Sequence, residues 1–245
     1  MKKVLCFIIF VLLFPPLFAD AKNIVYSNTF NYKTLSQLEI SLTYEQLQIS
    51  RIYGDEIVVE IGSNYIKKIP DVVLEEDLLK ITSKQDQKPR RGDKCNVYVY
   101  LPQDFTAQSI IINNVSGNIT ADILQAQNAV LVSNGSGRTN ISKCQTEYFS
   151  VLSVSGNSTL QKISAEYFEL SATSGNIFAE LETIPLATSM ISNISGKSQL
   201  YYPKQSNFDI IAFSINGTNN HTTIGAGGPQ VTLTSVSGKI EFVGY

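Results

Sequence analysis

From Ile110 onward, apolar and small polar residues alternate, and the alternation recurs as a unit. Ser116-Gly117-Asn118, Ser136-Gly137-Arg138, Ser155-Gly156-Asn157, Ser174-Gly175-Asn176, Ser195-Gly196-Lys197, Asn216-Gly217-Thr218 and Ser237-Gly238-Lys239 share one pattern, with glycines 20, 19, 19, 21, 21 and 21 residues apart. Seven residues before each glycine stand Ile110, Val130, Phe149, Phe168, Ser189, Ile210 and Val231. Five before stand Ile112, Val132, Val151, Leu170, Ile191, Ala212 and Leu233, and three before every residue is small. Steps of two on either side of a turn are the periodicity of strands with one face in and one face out.

Each unit reads as strand, Ser-Gly corner, strand and second turn, at about 20 residues per coil. Glycine suits a sharp corner, where positive φ is the expected reason for it. One coil cannot bury its own apolar face, but stacked coils align equivalent residues into a continuous core. The pattern predicts an all-β, single-domain parallel β-solenoid, with right-handed crossovers as the default. A β-sandwich also fits strands with regular turn signals; it does not require the same side-chain class at the same offset seven times. The repeat is too short for the four-stranded blades of a propeller.

The chain before the repeats is less regular. Leu38 to Leu42, Leu47 to Ile49, Ile57 to Ile61 and Asn96 to Leu101 alternate as strands, whereas Leu74 to Thr82 reads as a helical turn followed by a strand. Residues 22–105 are expected to form irregular coils and an N-terminal cap on the solenoid whose regular part is 106–245. A separate small β-domain is the alternative. Residues 1–21 have the order of a secretory signal peptide: Lys2-Lys3, an apolar run to Phe18, then Ala19-Asp20-Ala21. The run is short for a membrane span and is broken by Pro15-Pro16. No later stretch approaches that length, so the mature chain is expected to have no transmembrane span.

Composition narrows the function. The formal net charge is −2 and charged residues make up 16%, so no basic field is available for nucleic acid. Cys6 leaves with the leader; Cys95 and Cys144 remain, either paired in an oxidising compartment or as buried free thiols. With one histidine and no tryptophan, most metal sites and catalytic triads are excluded, and no cofactor is expected.

The Ser-Gly-Asn-Ile units, the segment Val97 to Phe105 with its Leu101-Pro102-Gln103-Asp104 step, and the ending from Ile224-Gly225-Ala226-Gly227-Gly228-Pro229 to Ile240 resemble the bacterial putative-adhesin family of β-strand-repeat domains of unknown function. The resemblance covers nearly all of the mature chain and implies a β-helical fold and export from a bacterium. It implies little about activity. Asn216-Gly217-Thr218 departs from the Ser-Gly pattern.

Most isolated motifs have bland explanations. Arg91-Gly92-Asp93 lies in a charged loop, and Gly225 to Gly228 lacks the helix and the Lys-Ser/Thr of a phosphate loop. Asn-x-Ser/Thr sequons are by-products of the Ser/Asn-rich corners. His221 stands four residues after its glycine, an inward position in the other units. One constellation is more suggestive. Glu147 and Glu166 each precede a corner glycine by nine residues, with Tyr148 and Tyr167 beside them, and Lys143 and Lys162 recur six after a glycine. Strands stack about 4.8 Å apart, so these groups form either a solvated Glu/Lys ladder with an aromatic pair, a ligand or cation patch, or the carboxylate pair of a glycosidase.

The sequence therefore reads as an exported, non-catalytic interaction module of the periplasm or cell surface, adhesin-like, with a glycan, envelope or protein ligand. A polysaccharide-active β-helix enzyme and a structural unit that forms homo-oligomers through its terminal coils are the alternatives.

Overall fold

The computed structural model describes residues 23–64, 69–84, 92–204, 208–217 and 227–245. The leader, Arg91, His221 and Gly225-Ala226 lie outside these. The described chain is all-β, with one 3-10 turn at Tyr32–Thr34 as its helical content. Its strands form one large, mostly parallel sheet that does not close, in the manner of a solenoid-like β-repeat.

The repeats supply β8 to β19. These are β8 (Ala107–Asn114), β9 (Ile119–Ala121), β10 (Leu124–Asn134), β11 (Thr139–Ile141), β12 (Cys144–Ser153), β13 (Ser158–Ala172), β14 (Ile177–Leu181), β15 (Ser189–Asn193), β16 (Lys197–Tyr202), β17 (Asp209–Ser214), β18 (Gln230–Ser235) and β19 (Lys239–Gly244). Equivalent positions pair directly: Val130 with Ile110 and Phe149, Val151 with Leu170, and Leu170 with Ile191. All seven residues at each of the two expected inward offsets before the glycine are buried. A further short ladder, Leu124–Cys144–Ile163–Leu181, lines another side of the core. Cys144 is thus one rung of a hydrophobic stack. Both Cys95 and Cys144 are buried free thiols, and burial pushes their pKa values upward, that of Cys95 to about 12.

The corner glycines serve a different purpose from the one expected. Only Gly196 among the seven has a positive φ, +134°. Instead, a Cβ at any of them would overlap a backbone carbonyl oxygen of the neighbouring coil: Gly117 for Gly137, Gly137 for Gly156, Gly156 for Gly175 and Gly175 for Gly196. Glycine is required because the corners pack backbone against backbone. At five of the seven corners the small residue three positions earlier secures the turn from inside. Asn114, Asn134, Ser153, Ser214 and Ser235 accept the glycine N–H at 2.7–3.2 Å. Asn114 and Asn134 also donate to the carbonyls of Glu45 and Gly117.

Spatial order departs from chain order at both ends. The N-terminal strands are β1 (Ile24–Asn31), β2 (Gln37–Leu42), β3 (Gln46–Ile52), β4 (Glu56–Ser63), β5 (Asp71–Glu75), β6 (Leu78–Thr82) and β7 (Cys95–Pro102). β2 and β3 pair with β8 and β9, so they form the layer next to the first repeat. Glu45 takes the glycine position there, nearly fully buried, its carboxylate accepting the Thr43 and Tyr44 N–H groups. β6 and β7 lie outside β2 and β3. The antiparallel pairings β5–β6, β4–β7 and β1–β4 finish this end. The helical turn expected near Leu74 is absent: β5 and β6 form a hairpin, because Val72-Val73 has the β-branched character of a strand, with Val72 packed against the core and Val73 and Leu74 exposed at the edge.

At the other end, β18 and β19 pair with β15 and β16, and β17 pairs with β18. The seventh repeat is therefore inserted between the fifth and the sixth. Phe208, buried and edge-on to Tyr202 at 5.1 Å, packs at this end of the core. On the β16–β19 face, Glu241 is clasped by Lys197 at 2.7 Å and by Lys239.

Two measurements check this account. Gly175→Ala is expected to cost about 1–3 kcal/mol through overpacking against Gly156, and Leu170→Ala about 2–5 kcal/mol through a core cavity. The exposed change Gln161→Ala should cost under about 0.5 kcal/mol; equal melting shifts for Gly175→Ala and Gln161→Ala would refute the corner contact.

A second check uses pH. Hydrogen bonds from Lys197 and Lys239 hold the Glu241 carboxyl from 4.5 down to about 2. A depressed folded-state pKa stabilises above the unfolded value and loses that contribution as pH falls through the folded one. The melting-temperature gap between wild type and Glu241→Gln should therefore be open at neutral pH and shrink between pH 4.5 and 2.

Candidate functional site

Between the short ladder and the long strands before each corner, the coils turn, and their outward residues line an open groove of about 520 Å³. Parallel stacking places like on like along its floor. Gln125 pairs with Gln145, and Gln145 with Ser164. One step on, the inward-leaning Thr146 sits beside Ala165, with its Oγ1 buried and unpartnered at the groove wall. Glu147 and Glu166 follow on adjacent strands, both exposed and both lining the groove. The backbone carbonyl of Glu166 accepts the N–H groups of Leu186 and Ala187, which brings exposed Leu186 to the groove as a lip.

Tyr148 and Tyr167 are register partners, and their rings stack at 4.4 Å with planes 16° apart. The Tyr148 hydroxyl donates to Glu169 at 3.0 Å. Partial burial, then the bond to that carboxylate and its charge, push the phenol pKa upward, although Ser150 pulls the other way. The structure therefore gathers Glu147, Tyr148, Glu166 and Tyr167 into one neighbourhood. It does not bring the lysines to the carboxylates. Lys143 bonds to Glu182 at 2.8 Å, and Lys162 is exposed at a corner of its own with φ +47°. The regular Glu/Lys ladder is not formed: Lys143 stands in the turn before β12, whereas Lys162 lies within β13 at the break in register between Leu160 and Ile163.

The groove offers amides, hydroxyls, two carboxylates and the apolar Ile184 and Leu186, with the stacked tyrosines next to it in sequence rather than in its lining. Amides donate and accept, carboxylates accept, and aromatic faces offer flat apolar area. Both carboxylates lie open to solvent. No group of three or more His, Cys, Asp or Glu side chains suited to a metal ion occurs among the described residues. No described helix is long and apolar enough to cross a membrane.

Sequence reasoning missed a second hollow, of about 290 Å³, at the N-terminal end, with Gln46, Gln48, Asn96, Tyr98, Asn118 and Thr120 around it. Its signal was weak because β3 follows the Glu45 corner, which lacks glycine, so the repeat register does not reveal that Gln48 pairs with both Tyr98 and Thr120.

Known proteins with this architecture include a crystal structure of a putative adhesin from Bacteroides fragilis, 13% identical, covering 89% of this chain and 96% of its own, with a TM-score of 0.50. A putative lipid binding protein from Parabacteroides distasonis is 12% identical with the same coverages and a TM-score of 0.49. A putative cell adhesion protein from Clostridium sporogenes is 12% identical over 89% of this chain and 98% of its own, with a TM-score of 0.42. At these identities the likeness concerns the fold alone. No curated protein matches the chain. The sequence profile of one family, however, runs from residue 35 to residue 242, across the N-terminal layers and all seven corners alike, and the chain accordingly belongs to the Toastrack DUF4097 family.

Proposed function

We propose that this protein is an exported, non-catalytic interaction module of the periplasm or cell surface, adhesin-like in role, whose groove binds a glycan chain. The observation that carries the reading is the joint presence of Glu147 and Glu166 on the groove with the Tyr148–Tyr167 stack beside them. Vicinal hydroxyls of a sugar donate to carboxylates and exchange bonds with the Gln125–Gln145–Ser164 row, while a pyranose face covers the stacked rings. The leader-like residues 1–21 support export, and the adhesins among the structural neighbours agree with a binding role. Residues 22–105 serve as the cap and first layers of one right-handed solenoid with coils of about 20 residues, and 106–245 as its regular part. Binding needs neither cofactor nor metal.

Hydrolysis by the Glu147–Glu166 pair is the alternative, and both carboxylates lie on the open face of the groove. The experiment is a glycan array followed by calorimetric titration of the best binder. Tyr167→Ala and Glu166→Gln are each expected to weaken binding about tenfold, which corresponds to about 1.4 kcal/mol, with unchanged melting temperature. Release of shortened glycan by the wild type would establish the enzyme instead. Binding indifferent to both substitutions would move the site off the groove.

A further inference from the structure

The end of the sheet formed by β15, β18 and β17 carries a concentration of exposed apolar side chains. Met190, Ile194, Ile211, Phe213, Ile215 and Val236 are all exposed there, by 40% to 61%, and the residues between them are Ser and Thr. Pairing places them side by side: Met190 and Ile211 flank Thr232, and Phe213 adjoins Thr234. No charged residue occurs in β17 after Asp209. The opposite edge of the sheet, β5, begins with Asp71 and ends with Glu75, and Asp71 pairs with Lys84, the kind of charge that blunts an edge against association.

β17 also has an edge available for pairing. Asp209 and Ile215 donate their N–H groups to Pro229 and Ser235, so the odd-numbered residues of β17 face β18. Alternation then turns the backbone groups of Ile210, Ala212 and Ser214 to the other side, where no described strand pairs with them.

We infer that β17 is a self-association edge, which pairs antiparallel with β17 of a second copy of this chain in a register centred on Ala212. The two-fold places Ala212 opposite its own counterpart and Ile210 opposite Ser214, and each pair exchanges both backbone hydrogen bonds. Ile211 then faces Phe213 of the other copy on the exposed side, in the close, non-hydrogen-bonded position where an aromatic and a β-branched side chain pack favourably. The strand is self-complementary in both respects, which a closed two-fold dimer requires. That self-match selects a second copy over an unrelated strand, and it does not depend on the groove's ligand.

Sedimentation of the full chain over a range of concentrations tests this. A dimer that dissociates on dilution is expected. Phe213→Lys sets like charges across the axis, and Ala212→Pro removes an outward N–H while sparing the bonds to β18. Each should raise the dimer dissociation constant at least tenfold, with circular dichroism unchanged for the exposed Phe213→Lys. Register is read by cross-linking: a mixture of Ile211→Cys and Phe213→Cys chains should form a disulfide dimer that neither forms alone, since Cys95 and Cys144 are buried. A chain monomeric at every concentration, a dimer indifferent to both edge substitutions, or cross-linking as strong within each single variant as in the mixture would overturn the inference.

Discussion

The structure rests on backbone meeting backbone at the Ser-Gly corners. A parallel stack brings equivalent turns to strand spacing, and at the tightest point of each turn the carbonyl of one layer fills the place where the next would carry a Cβ. That contact fixes the register of everything beyond it. Once Gly156 sits on Gly137 and Gly175 on Gly156, Val151 must meet Val132 and Leu170, and the two tyrosines must stack. At most corners an Asn or Ser three residues earlier completes the arrangement by accepting the glycine N–H.

Periodicity made most of the repeat legible. Offsets of seven and five before the glycine are buried without exception, since side chains alternate strictly along a strand and the corner fixes the phase. The same signal was silent where glycine is missing. At the β2–β3 corner, Glu45 replaces the glycine and uses its own carboxylate to satisfy two turn amides, so a layer fully integrated into the stack reads as irregular. The positive φ expected of the glycines was the wrong physics for the right residue: steric exclusion by a neighbouring chain leaves the same mark in a sequence as a left-handed turn.

The groove shows the reach and the limit of register arguments. Counting from the glycines placed Glu147 beside Glu166 and Tyr148 on Tyr167, which depend on pairing alone. It could not place Lys143, whose partner Glu182 lies two layers away, just after the ladder residue Leu181. Nor could it reveal that Leu186 is drawn to the groove by backbone bonds to Glu166. Side chains in the strands inherit their positions from the repeat, whereas those in the turns depend on local geometry that varies with each coil's length.

The placement of the seventh repeat between the fifth and the sixth also constrains how the chain reaches its folded state. Layers two to five can each dock on the one made before it, in the order in which a ribosome delivers them. β17 cannot, because its partner β18 is made later and must first occupy β15. The sixth repeat therefore waits as an unpaired, apolar segment until the following one has been threaded into place. Addition of the repeats, otherwise in chain order, thus ends in one non-sequential closing step.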